Sequence, residues 1–253
     1  MTGGLTSLSE EELERYARHI VLPDVGGVGQ RKLKGANVTV IGAGGIGSAV
    51  IPALAGAGIG RMRIVDSDVV ELANLHRQPL FGEGDAGKAK ARIAAEFIGR
   101  LNHFVVADPR EERIGPENSR RLLEGSDLVI DGSDNFATRL AVSDACVALS
   151  IPLVAAAAVQ FQGQVGLFTG RPCYRCFVGD AFDSDDCDNC SELGVLGALT
   201  ATVGSFAALM AINTILGIGP VKAGEVHLFD GQALSLRAIR IPPDPGCRAC
   251  GSA

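Results

Sequence analysis

The stretch "NVTVIGAGGIG" at 37–47 constrains this chain more than any other. An apolar, β-rich run enters a glycine turn, and a helix of small residues, "SAVIPALAGAG", leaves it. Gly42, Gly44, Gly45 and Gly47 give G-x-G-x-x-G between a strand and a helix, the context in which that pattern has physical content. Bare backbone there lets a phosphate approach, and the helix N-terminus favours its charge. A tight strand–helix turn with no ligand is the plainer alternative.

The rest of the chain repeats this alternation. "RMRIVDSD" (61–68) reads as the next strand, and "GKAKARIAAEFIGRLN" (87–102) has helical spacing. "HFVVAD", "DLVIDGSD" and "IPLVAAAA" read as strands, with "NFATRLAVSDACVAL" (135–149) a helix between the last two. Strands and helices alternating at these lengths predict an α/β fold, a Rossmann-like, mostly parallel sheet flanked by helices. Ahead of it, Ser9 with Glu12 three residues on forms a capping box, and a helix is expected through about Ile20. Beyond 160, "QGQVGLFT" (162–169) reads as a strand, and "EVHLFDG" and "LSLRAIRI" as an antiparallel pair. Between them lies the acidic "FVGDAFDSDDCDNCSELG", read as a loop. With no internal repeat and no long linker, one domain is expected: a helical segment 1–35, a nucleotide-binding core 36–160 and a C-terminal part 161–253.

Composition narrows the partners. The formal net charge of −6 argues against nucleic acid or an anionic membrane, since both need a basic footprint. The N-terminus shows no basic segment followed by an apolar one, and an odd count of 7 cysteines does not fit a disulfide framework. A cytoplasmic protein is expected. The uncharged run 193–221 is long enough to span a bilayer. It carries several glycines and polar residues and no second span follows, so a buried core or interface helix is expected.

Asp66 ends the second strand, where an acid binds ribose hydroxyls in dinucleotide folds, and an NAD-dependent oxidoreductase would explain that much. The following residues fit it poorly. Asp68, Asn74, Arg77, Gln78, Lys88 and Lys90 cluster within a short stretch, and cations beside a phosphate loop point to a triphosphate. Asp131 and Asp134 end another strand, on the edge where open sheets bind ligands. An acid among phosphates is most simply a Mg²⁺ ligand, although Asp134 or Asn135 would also serve as a helix cap. Arg77 and Lys88 have a solvated face as their ordinary alternative. Finally, "CYRC" (173–176) and "CRAC" (247–250) are two C-x-x-C pairs far apart in sequence. Four thiolates at this spacing suit a closed tetrahedral Zn²⁺ site, and two dithiol redox motifs are the alternative.

Taken in order, "RYARHIVLP", "GAGGIGS", "DSDVVELANLHRQPLF", "GKAKA", "DGSDNFATR", the paired C-x-x-C motifs and "HLFDG" resemble the ThiF/MoeB/HesA adenylyltransferases, relatives of ubiquitin-activating enzymes. The resemblance runs from about residue 9 to 251. It implies that Gly42–Gly47 and Asp66 hold ATP, that Asn74, Arg77 and Lys88 contact its phosphates, and that Asp134 binds Mg²⁺. It implies that Arg18 reaches the triphosphate of the other protomer in a homodimer. Cys173, Cys176, Cys247 and Cys250 would share one zinc ion. The acceptor implied is a small ubiquitin-like sulfur-carrier protein ending in Gly-Gly, of the kind serving molybdopterin or thiamine synthesis, whose carboxylate attacks the α-phosphate. Cys190 matches a cysteine that bonds the carrier in some members, whereas Cys187 has no family role and Cys146 reads as core. No rhodanese-like extension follows Ala253, so sulfur is expected from a separate persulfide donor. A non-catalytic adaptor binding nucleotide and carrier is the further alternative.

Overall fold

The computed structural model describes residues 7–179 and 193–251. The chain opens with α1 (Glu10–Arg15), α2 (Ala17–Ile20) and α3 (Gly26–Gly35), and then enters the sheet. There follow β1 (Asn37–Ile41), α4 (Gly47–Ala57), β2 (Arg61–Val65), α5 (Lys90–Leu101), β3 (Val106–Arg110), α6 (Ser119–Leu123), β4 (Leu128–Asp131), α7 (Phe136–Leu149) and β5 (Leu153–Val159). The C-terminal part comprises β6 (Gln162–Phe168), α8 (Tyr174–Val178), α9 (Gly197–Leu216), β7 (Glu225–Asp230) and β8 (Ser235–Arg240).

Among the described residues the strands form one 8-stranded sheet in the order β3-β2-β1-β4-β5-β6-β7-β8. The first five run parallel, and β6, β7 and β8 add on antiparallel. The α/β expectation, with antiparallel C-terminal strands, is met. Both faces of the central strands are buried, and alternate residues go to opposite faces, as the period of 2 in a strand requires. Val38, Val40, Leu128, Ile130 and Val154 join one cluster with α4, α5 and α9. Ile41, Val129, Leu153 and Ala155 join another with α6, α7 and α8.

Local boundaries differ from expectation where tertiary contacts intervene. The capping box is present: Ser9 Oγ accepts from Glu12 N at 3.2 Å, and Glu12 Oε2 from Ser9 N at 2.8 Å. The helix nonetheless breaks at Tyr16, whose buried hydroxyl accepts from Asn102 Nδ2 at 2.8 Å. Helix α3 falls within the helical segment expected over 1–35, although the glycines of "GGVGQRKLKG" disfavour it. It is held by long-range bonds, from Gln30 Nε2 to Ala57 O at 2.9 Å and from Lys32 Nζ to Leu216 O at 3.0 Å. The strand placed at "HFVVAD" begins later and runs through Pro109, which is tolerated because β3 is an edge strand. The uncharged C-terminal run is α9, long enough to cross a bilayer by length and composition. Val203, Ala207, Ala208 and Ala211 are buried against the rest of the fold.

Candidate active site

The order of the parallel strands reverses direction between β1 and β4, so the loops leaving their C-terminal ends splay apart and open a crevice. The glycine turn after β1 forms one wall. Gly42 has φ +85°, a conformation that side chains disfavour, and a Cβ there would lie 3.3 Å from Gly132 O in the loop after β4. Gly47 begins α4 so tightly that a Cβ would stand 2.2 Å from Gly42 O. These glycines keep the two loops in contact and leave the turn open to a ligand.

Asp66, at the end of β2, ties that turn to the next loop. Its Oδ2 accepts from Ala43 N at 2.7 Å and its Oδ1 from Asp68 N at 2.8 Å. Burial pushes its carboxyl above the usual carboxylate range, against the opposing pull of those backbone donors and of Lys90. The cavity, of about 350 Å³, is lined by Gly42, Gly44, Gly45, Asp66, Asp68, Arg77, Gln78, Asp134 and Asn135 among the expected residues. Gln78 is buried with Oε1 lacking a hydrogen-bond partner among the described residues. Asn135 turns out to be the cap of α7, accepting from Thr138 N at 2.8 Å, which leaves Asp134 exposed in the cavity and outside the capping role.

Gly47 is not among the lining residues, and three expected side chains lie elsewhere. Asn74 donates to Glu71 Oε2 at 3.0 Å and does not line the cavity. Arg18 is exposed on α2, also outside it. Lys88 points outward and pairs with Asp85 at 3.2 Å, with 54% of its side chain exposed. The residue in the cavity is Lys90, with 6% of its side chain exposed and Nζ 3.1 Å from Asp68 Oδ2. The reason is local: Ala89, bridged to Val69, is the N-cap of α5, Lys90 opens the helix with its N–H bonded to Asp68 O at 2.9 Å, and Lys88 lies ahead of it in a turn, its N–H bonded to Asp85 O at 3.0 Å. Lys88 is therefore corrected as a cavity residue, and Lys90 takes its place. Arg113, Arg139, Val195 and Thr200 also line the cavity without having been singled out. Of these, Arg139 stood inside the "DGSDNFATR" motif, four residues after the cap, and that spacing was the available signal.

A second cavity of about 590 Å³ adjoins the first and shares Asp134, Arg139 and Ala158 with it. Its other lining residues are largely apolar or small, including Phe136, Ala157, Val159, Gly163, Tyr174, Leu228 and Phe229. It leads from Asp134 along β5, β6 and β7 to Asp230 and Arg237. Asp134 thus stands where a polar, phosphate-suited cavity meets an apolar groove over the antiparallel strands.

Cys173, Cys176, Cys247 and Cys250 converge, with all four sulfurs within 4.8 Å of one another. The Sγ separations are 3.6 Å for Cys173 and Cys247, 3.4 Å for Cys176 and Cys250, and 4.0 Å for Cys173 and Cys176. Four thiolates about 2.3 Å from a tetrahedral Zn²⁺ would be about 3.8 Å apart, so this set fits such an ion with no position left open. Cys146 is buried in the sheet–helix core, and burial pushes its thiol up, as for an inert side chain. Cys187 and Cys190 lie outside the described residues.

Comparison with known proteins agrees with this geometry. The ThiF family model matches residues 16–249. A sulfur carrier protein adenylyltransferase of Thermus thermophilus is 42% identical over 250 residues, covering 96% of this chain and 92% of that protein. The adenylyltransferase and sulfurtransferase MOCS3 of Bos taurus is 43% identical over 97% of this chain, which spans only 54% of that longer relative. The crystal structure of MccB from E. coli superposes with a TM-score of 0.82 at 25% identity, covering 97% of this chain and 74% of that one.

Proposed function

The chain belongs to the ThiF family, and on that premise we propose that it adenylylates the C-terminal carboxylate of a small ubiquitin-like sulfur-carrier protein. The observation that carries this reading is the meeting of two cavities at Asp134. ATP occupies the first, with its phosphates over the glycine turn and its ribose against Asp66. The carrier's tail lies in the second. Ala157, Ala158 and Gly163 on its lining leave room for a tail ending in Gly-Gly, with little side chain to accommodate. The name of the Thermus thermophilus relative supports the acceptor class.

The chemistry asks little of a base, because the attacking carboxylate is already anionic. One of its oxygens bonds the α-phosphorus, the bond to the bridging oxygen breaks, and pyrophosphate leaves with that oxygen. What the site must supply is alignment and positive charge on the developing pyrophosphate. Lys90, Arg77, Arg113 and Arg139 are the cations that line the cavity. Asp134 is placed to hold a Mg²⁺, which would neutralise phosphate charge when bound. Arg18, exposed and outside its own cavity, is free to reach the site of a second copy in a homodimer. The four cysteines would hold a structural zinc ion, away from the reacting atoms. Sulfur would then come from a separate persulfide donor, with Cys190 the candidate for a covalent link to the carrier.

The test is direct. Protein, Mg-ATP and a Gly-Gly-ended carrier from the same organism should give an acyl-adenylate on the carrier, detected by mass as an added AMP. A carrier whose final glycine is deleted should give none.

A further inference from the structure

The floor of the second cavity is a regular grid. Ala157, Gln164, Leu228 and Arg237 stand side by side, in register, on β5, β6, β7 and β8. The row two residues along, which ends in Asp230 and Ser235, shares their face, and both rows line the cavity. One end of the grid is fixed to the nucleotide site. Arg139, common to both cavities, donates from Nη1 to Ala156 O at 3.1 Å, and Asp134 stands at the same end. The other end is β8, the edge strand of the sheet.

Strand spacing turns this row into a ruler. From Ala157 to Arg237 is three spacings of about 4.8 Å, or about 14 Å. An extended chain covers about 3.3–3.6 Å per residue, so that distance is about four residues. A tail whose last residue lies over Ala157 therefore brings its fifth residue from the end over Arg237. The side chains passed on the way, Gln164 and Leu228, are neutral, and charge enters only at the far end. There Asp230 is already committed. Its Oδ1 accepts from Gln232 N and Ala233 N at 3.0 and 2.9 Å, within the turn from β7 to β8. Arg237 is exposed, and although the Asp230 carboxylate is near enough to be felt, Arg237 forms no ion pair among the described residues.

We propose that Arg237 is a specificity-determining residue for the carrier, selecting an acidic side chain as the fifth residue from its C-terminus and rejecting a basic one. This rests on the adenylyltransferase reading, in which the carrier's tail lies in this cavity. An exposed guanidinium gains little from one carboxylate, so it sorts carriers more than it holds them. Repulsion of a basic side chain adds to the lost pairing and widens the difference. The contact is remote from the reacting atoms, so the preference belongs to KM for the carrier.

The experiment is steady-state ATP–pyrophosphate exchange with the Gly-Gly-ended carrier that supports it, prepared with Glu, Ala or Lys as the fifth residue from its C-terminus. Wild type, Arg237→Ala and Arg237→Glu are compared, each checked for folding by thermal melt. In wild type, KM for the carrier should rise in the order Glu, Ala, Lys, by about threefold to tenfold from first to last. That spread should shrink as salt is raised, because Arg237 is exposed. Arg237→Ala should flatten the series to within about twofold. Arg237→Glu should reverse it, giving the Lys carrier the lowest KM. A merely structural role for Arg237 would raise KM for all three carriers alike and leave their order unchanged. If Arg237→Glu fails to fold, Arg237→Ala decides. The same order and spread in wild type and variant, or no dependence on the fifth residue in wild type, overturns the proposal, while exchange itself leaves the adenylyltransferase reading standing. No exchange with any carrier, in folded wild type, overturns that reading and the proposal with it.

Discussion

Lys90 and Asp68 form an ion pair of 3.1 Å within the nucleotide cavity, with the lysine side chain 6% exposed and the aspartate 68% exposed. An exposed partner is easily displaced, so an incoming phosphate can take the place of Asp68 while Lys90 stays in position. Lys90→Ala should lower kcat/KM for ATP by about 10²-fold, the usual cost of losing a preorganised charge at a developing anion. Lys88→Ala removes only the exposed pair with Asp85 and should stay within about twofold of wild type. Steady-state pyrophosphate exchange over a range of ATP concentrations separates the two.

Asp66 gives a pH dependence. Burial raises its carboxyl above the usual range, so the folded protein takes up a proton here more readily than the unfolded chain. The charged form therefore costs stability at neutral pH, and that cost is relieved as pH falls through the raised folded value. Protonation also removes an acceptor facing the ribose. Mg-ATP affinity should thus decline as pH is lowered from neutral towards that value, without loosening of the fold at this group. Asp66→Asn should bind about tenfold more weakly at neutral pH and be flat across the same range. Calorimetric titrations in a pH series check both.

The cysteine cluster joins 173–176 to 247–250, so a metal ion held there would tie the C-terminal tail to the start of α8. Cys250→Ser should lose the ion and destabilise the protein by about 4 kcal/mol, the upper range for a single change. For a chain of this size that is a fall in Tm of about 10 °C. Differential scanning calorimetry with metal analysis checks it, and zinc should restore Tm to stripped wild type but not to the variant.

Gly47 and Gly56 lie on the same helix and should respond oppositely. A methyl at Gly47 would meet Gly42 O at 2.2 Å, so Gly47→Ala must displace the turn, at a cost of about 2 kcal/mol or more and with loss of ATP affinity. Nothing lies within 4 Å of a Cβ at Gly56, and Gly56→Ala should stabilise by about 0.5–1 kcal/mol with affinity unchanged. Thermal melts with and without ATP resolve the pair.

The legible part of this molecule is local in sequence. The glycine turn, Asp66 at a strand end and the run into Asp134 each declare themselves within about a dozen residues, and α/β alternation then brings them to one edge. The paired cysteines were legible because their spacing has a chemical meaning. The rest depends on distant contacts. Helix α3 forms against its own propensities because Ala57 and Leu216 supply partners for Gln30 and Lys32. Lys90 displaces Lys88 because α5 begins at Lys90, held to Asp68 O, while Lys88 is held in the turn before it by Asp85. Thr200 enters the cavity from α9, far along the chain, with no local mark. Arg139 was inside a recognised motif, yet its grip on Ser133 and Ala156 appears only once the sheet is assembled.

Asp134 stands where the two cavities meet, and carrier adenylation should depend on it. The measurement that tests it most directly is ATP–pyrophosphate exchange by the purified, zinc-loaded protein, with and without a panel of Gly-Gly-ended carriers from its own organism, alongside Asp134→Ala. Exchange that requires one carrier and falls by at least about 10²-fold in Asp134→Ala is the predicted result. No exchange with any carrier, in folded protein that binds Mg-ATP, would contradict it and leave a nucleotide-binding adaptor in its place.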